Sequence, residues 1–285
     1  MTMATTTIAK SIPVPKKRAE ALAVMVRTII NARTPLSIGI FYGVLFALLL
    51  AALYPAISQA NLGTYLSSSF LSGLLGGHIA NFSGFTAFLG LELYSAFYGL
   101  FFGGILAWIG GAALPNAIEN GTLDLALSRP IARTRYYLES WIGVLICAAI
   151  IGLAIVFAVW IDTFIVKNAD INWQWLWITQ LVQWSFLFFA AGLGMLLGSF
   201  INASRAASGT TLGVIALGYL INALGGLSDQ FKWLLKASPF YYAPAIDPLV
   251  FHQLTWWYPW VLVIAGLVCG IAGLVVFNKR DLPTT

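Results

Sequence analysis

The side chains able to do chemistry in this 285-residue chain are scarce, and one segment concentrates them. It reads Glu119-Asn120-Gly121-Thr122-Leu123-Asp124-Leu125-Ala126-Leu127-Ser128-Arg129-Pro130-Ile131-Ala132-Arg133. Gly121 tolerates left-handed backbone angles and suits the end of a helix. Thr122 suits the cap of a following one. Leu123, Leu125 and Leu127 place apolar bumps beside Asp124 and Arg129, and Pro130 stops the run. The pattern predicts a short, stiff helix. Such a helix either docks a partner or simply turns the chain, and the residues alone leave both open.

Elsewhere the chemistry is thinner. No Gly-Lys-Ser or Gly-Lys-Thr occurs, so no phosphate-cradling loop is expected, and neither HExxH nor GxSxG is present. His78 and His252 stand apart from any second histidine or cysteine, and no metal site is predicted. Cys147 and Cys269 fall inside apolar runs and read as small hydrophobes. Glu92 and Asp162 sit near the outer ends of apolar runs, close enough to an interface to stay hydrated. An enzyme is not expected.

The elements that must position these residues are set by composition. Hydrophobic residues make up 60% of the chain and charged residues 9%, against about a quarter charged in soluble domains. So few charges cannot cover a water-facing surface, and lipid must take its place. Six stretches reach the roughly 20 apolar residues that cross a bilayer. They run over about 35–54, 93–114, 141–166, 173–200, 206–227 and 257–277. The expected fold is all-α: a polytopic bundle of six transmembrane spans in a single domain, 1–285. The lysines and arginines divide twelve to three between the two sides, which puts both termini in the cytoplasm by the positive-inside rule. They lie between apolar runs rather than on one polar face, so nucleic acid is not an expected partner.

Tryptophans 173, 175 and 177, and the group Trp256, Trp257, Tyr258 and Trp260, mark outer interfaces. Tyr136, Tyr137 and Trp141 mark an inner one, with packing between helices as the alternative. Residues 16–34 read as an amphipathic helix along the inner leaflet, with Lys17, Arg18, Arg27 and Arg33 near anionic headgroups. The Thr34-Pro35 step is expected to turn it into span one. Residues 56–92 are expected to form a Gly- and Ser-rich outer loop. Residues 228–255, broken by Pro239, Pro244 and Pro248, are expected to form short or re-entrant helices.

With these elements in place, the chain resembles the membrane subunits of type 2 ABC exporters. Glu119, Gly121, Thr122, Leu123, Leu127, Pro130 and Arg133 carry the likeness, with Asp124 where an acidic residue is common. The helix at 16–34 is similar to the family's connecting helix. Ser238-Pro239-Phe240-Tyr241-Tyr242 resembles its Ser-Pro-aromatic stretch before the last span, which implies an outer gate. The basic ending from Phe277 to Leu282 is similar as well. The resemblance implies a half-transporter in the cell membrane. It pairs with a second copy or a sister permease, and two separate ATPase subunits bring ATP and Mg and dock at 115–140. An ion-coupled transporter or channel, or a non-transporting assembly factor, is the alternative. Cargo does not follow from the residues.

Overall fold

The computed structural model describes residues 22–59, 84–121, 132–167, 169–227 and 229–280. All its long elements are helical, and six are long and apolar enough to cross a membrane. Span one is Ala23–Gln59, span two Phe85–Glu119, span three Arg133–Ile165, span four Trp173–Phe200, span five Ser204–Leu227 and span six Trp257–Lys279. The chain is therefore a multi-pass membrane protein. Its outer surface agrees: Phe41, Phe164, Ile264 and Val268 stand exposed, an arrangement stable against acyl chains and costly in water.

Span one corrects the expected turn at Thr34-Pro35. The helix runs unbroken from Ala23 through Pro35 and Pro55. Proline removes one backbone bond, the one to the Asn31 carbonyl four residues back, but in lipid every other conformation leaves more backbone groups unsatisfied, so the helix continues. The described part of the predicted amphipathic helix is thus the first turns of span one. Its buried strip is Val24, Thr28, Ala32 and Leu36, at the four-residue spacing that keeps one helix face inward, and span one packs chiefly on span three. Leu22, Val26 and Ile30 point outward.

Span two also starts earlier than hydropathy suggests. Residues 85–92, expected in the outer loop, are helical; residues 60–83 lie outside the described residues. Asp170, between spans three and four, accepts from the Thr86 backbone N–H at 3.1 Å, and Thr86 Oγ1 donates to its carbonyl at 2.9 Å. That carboxylate supplies the cap missing from Gly84. From Gly90 to Phe102 the span winds as a π-helix of 13 residues, with Ser95 Oγ donating to the Gly90 carbonyl five residues back at 2.8 Å. Such winding is rare and usually lasts a single turn.

Span four is the hub, packed on spans two, three, five and six. Lipid gives helices no hydrophobic reason to associate, so close backbone approach and hydrogen bonds must hold them. Trp184 Nε1 donates to the Ala148 carbonyl at 3.2 Å, joining spans four and three. Tyr137 Oη donates to the Gly270 carbonyl at 2.8 Å, joining spans three and six. Tyr136, Tyr137 and Trp141 are all buried, so packing between helices, not interface anchoring, is their role. Tyr137→Phe should lower unfolding stability by about 1 kcal/mol, the net worth of one such bond. Thermal unfolding in detergent checks it, and an unchanged midpoint would remove that bond from the account.

Candidate functional site

The functional candidates fall into three places: one end of the bundle, the opposite end before span six, and a groove on its side. At the first end, Pro115–Glu119 forms the last turn of span two. Asn120 and Gly121 close it, with Gly121 at φ +62 and its N–H bonded to the Ile118 carbonyl at 3.0 Å. Glycine adopts that angle without the penalty a Cβ would bring, as expected from the sequence.

Glu119 then reaches across to span five. Its Oε1 accepts from the Ser204 backbone N–H at 2.9 Å and its Oε2 from Ser204 Oγ at 2.6 Å. Ser204 opens span five, where backbone N–H groups lack partners inside the helix and the dipole favours an anion. The carboxylate thus caps a helix 85 residues away. Because the acceptor is a carboxylate, both bonds are of the shorter, charge-assisted kind. Sequence reasoning missed Ser204: a serine suits a helix start, but nothing local pairs it with a carboxylate 85 residues away.

Neighbouring ends are fastened too. Arg133 donates to the Arg280 carbonyl at 2.8 Å, and Arg280 donates to the Ser199 carbonyl at 2.8 Å. Arg135 pairs with Glu139 at 2.7 Å. The starts of spans three and five and the ends of spans two, four and six therefore meet around Glu119 and Arg133. Thr122, Leu123, Asp124, Leu127, Arg129 and Pro130 lie outside the described residues, as do Lys17 and Arg18. Arg27 and Arg33 lie exposed on span one, away from this cluster's hydrogen bonds.

At the opposite end the expected short helices are present: Asp229–Phe231, Lys232–Leu235, Pro239–Tyr242 and Ile246–Phe251. Ser238 is fully buried. Its Oγ donates to the Gly218 carbonyl of span five at 2.8 Å and accepts from the Phe240 N–H at 3.1 Å. Pro239 lies over Gly218, where a Cβ would sit 3.0 Å from the ring. Phe240 packs on Phe186 of span four at 4.7 Å and on Tyr219 of span five at 5.4 Å between ring centroids. Tyr241 shares a hydrogen bond with Tyr258 of span six at 2.8 Å, and Tyr242 donates to the Lys236 carbonyl at 2.9 Å. The five gate candidates are thus one latch across spans four, five and six.

The third place is a groove of about 830 Å³ between spans one, two and five. Tyr42 and Phe46 line it from span one, Glu92, Phe97, Phe101 and Trp108 from span two, and Leu212 and Tyr219 from span five. Sequence reasoning had not assembled it. Asp162 departs from expectation as well. It is fully buried, and neither carboxylate oxygen has a partner among the described residues. The surrounding helices cover it, so it does not stand open at an interface as its place in the sequence suggested. His252, in the left-handed region at φ 55, stacks on Trp175 with centroids 5.4 Å apart, and among the described residues no group of acidic, histidine or cysteine side chains gathers as a metal site.

No curated protein matches the chain as a relative. A family model described as "Multidrug efflux system permease Rv1217c, C-terminal domain" matches residues 118–278. The match runs from the turn before Glu119 to the end of span six. It takes in both the capped end and the aromatic latch, and it covers more than half of the chain. The chain therefore belongs to the family of the multidrug efflux system permease Rv1217c C-terminal domain, and is a transport permease of the membrane.

Proposed function

We propose that the chain is the membrane subunit of an ATP-driven ABC exporter, with drug-like or other amphipathic molecules as cargo. Two copies, or one copy and a sister permease, form the path. Both termini face the cytoplasm. Two separate ATPase subunits, carrying ATP and Mg, dock on the segment around 119–135.

The observation that carries this reading is the Glu119 cap on Ser204. A displacement of the docked segment is transmitted to span five through a two-point carboxylate contact rather than through a slack loop. Span five forms one wall of the groove and span two another. A push at Glu119 therefore changes the width of the groove. Differential contact with the ATPase in its two states is what shifts the permease between conformations. Gly209 and Gly213 support pairing: each is exposed on span five with open space where a Cβ would stand, and small residues four apart let two helices approach closely in lipid.

The test is co-purification with an ATPase subunit, followed by transport in proteoliposomes. Transport is expected only with the ATPase and hydrolysable ATP. Full transport by the chain alone would falsify the reading. One observation favours a second one, an ion-driven transporter: the unpartnered, fully buried Asp162, since carboxylates within spans often mark ion paths. That reading expects gradient-driven transport without ATP, lost in Asp162→Asn.

A further inference from the structure

We propose that the groove between spans one, two and five binds lipophilic monovalent cations, with Glu92 as their counter-charge. The proposal rests on the permease reading and names its class of cargo.

Glu92 is the one charged side chain among the described residues that line the groove. No hydrogen-bond or ion-pair partner meets its carboxylate among the described residues. The rest of the lining is almost wholly apolar. A carboxylate held at the edge of hydrocarbon without a partner is costly, and such residues mark functional paths by default. A cation in the groove supplies the missing charge. A neutral guest leaves the carboxylate unpaired, and an anion is repelled by it.

Aromatic faces point to the same occupant. Phe46 stacks on Phe97 at 4.3 Å, and Phe97 on Phe101 at 4.5 Å. Tyr42 and Trp108 stand exposed on the groove at 54% and 41%. Ring faces attract cations whose charge is spread and weakly hydrated. The volume of about 830 Å³ suits a drug-sized guest, for which sites of roughly 300–1,000 Å³ are usual.

The π-helix is what assembles the site. Glu92 and Phe101 are nine residues apart, and both lie in Gly90–Phe102. In an α-helix nine residues make about two and a half turns, which would put the two side chains on opposite faces. With the wider winding of about 4.4 residues per turn, nine residues make about two turns, and both face the groove. The rare winding therefore has a consequence beyond local packing: it sets a carboxylate and an aromatic stack on one wall.

The test uses the full chain in lipid nanodiscs, with empty nanodiscs subtracted. Tetraphenylphosphonium and tetraphenylborate have nearly the same size and shape and opposite charge. Saturable binding is expected for the cation and none for the anion. Glu92→Gln should weaken cation binding at least tenfold with an unfolding midpoint no lower than the parent's, because the carboxylate has no partner to lose and its burial is costly. Phe101→Leu, which keeps the charge, should weaken it severalfold. Equal binding of both ions, or unchanged binding in Glu92→Gln, overturns the proposal. So does a cross-link between cysteines at Ile38 of two copies that forms in full while no cation binds, since a second copy then fills the groove. ATP-driven transport of other cargo in that case leaves the permease reading standing. Cation binding without any ATPase association removes the ATP-driven exporter reading and keeps the site.

Discussion

Gly111→Leu is expected to abolish recovery of folded protein from the membrane. Gly111 lies in span two where spans four and five cross it. A Cβ there would stand 2.9 Å from Ser208 Cα and 3.0 Å from the Ala207 carbonyl of span five. From the other side, a Cβ on Gly194 of span four would meet the Gly111 nitrogen at 2.8 Å, and one on Gly198 its carbonyl oxygen at 2.8 Å. The atoms that a Cβ at Gly111 would meet, Ser208 Cα and N and the Ala207 carbonyl, are all backbone atoms, so no rotamer change relieves the clash. Overpacking a side chain into a filled core costs about 1–3 kcal/mol even where side chains can shift. Between two backbones the cost should reach the upper end or pass it, and spans two and five must separate. Monodisperse yield after detergent extraction, with thermal unfolding of whatever is recovered, measures this. Ala272→Leu is the control, since Ala272 stands exposed on span six, and its unfolding midpoint should stay within error. A Gly111→Leu protein with parental yield and midpoint would mean that the spans cross at a wider distance than described.

Glu119→Ala should separate folding from function. The substitution leaves the first N–H groups of span five without their carboxylate. Loss of a helix cap costs about 0.5–2 kcal/mol, and at this exposed end the lower part of that range applies. The bundle should still assemble, because its packing lies elsewhere: in the glycine crossings and the Tyr137 and Trp184 bonds. Transport should fall at least tenfold, since the segment that follows Glu119 is no longer tied to span five. ATP hydrolysis by the docked subunits should continue without cargo movement. Glu119→Gln, whose amide oxygen still accepts one hydrogen bond, should fall between. Transport, ATP hydrolysis and complex recovery measured on one preparation decide the matter. If transport and recovery fall together, Glu119 holds the fold rather than carrying motion.

The extent of legibility differs from element to element. Span four was readable to the residue, Trp173–Phe200, because its apolar run is long enough to cross a bilayer by itself and its start is set locally, by Asn172 accepting from the Gln174 and Trp175 N–H groups. The Gly121 turn was readable for the same reason. Span one was misread at Pro35, because a proline's local rule is overridden when lipid leaves the chain no better conformation than helix. The start of span two was misread because its cap, Asp170, comes from a loop 84 residues away. The aromatic latch was recognisable as a motif, but its anchoring at Gly218 and Tyr258 was not.

What the amino-acid sequence determined by itself is where the chain lives and how often it crosses. Those follow from apolar run length against membrane thickness, a property of each segment alone. What only the tertiary structure decided is which faces meet. The rotation of each helix about its axis turned Asp162 inward, brought Glu119 onto Ser204, and through the π-winding of Gly90–Phe102 placed Glu92 on the groove with Phe101. Hydropathy is blind to that rotation, because inside a bilayer the buried and the lipid-facing sides of a helix are equally apolar. Only backbone contact at small residues and a few long-range hydrogen bonds tell them apart.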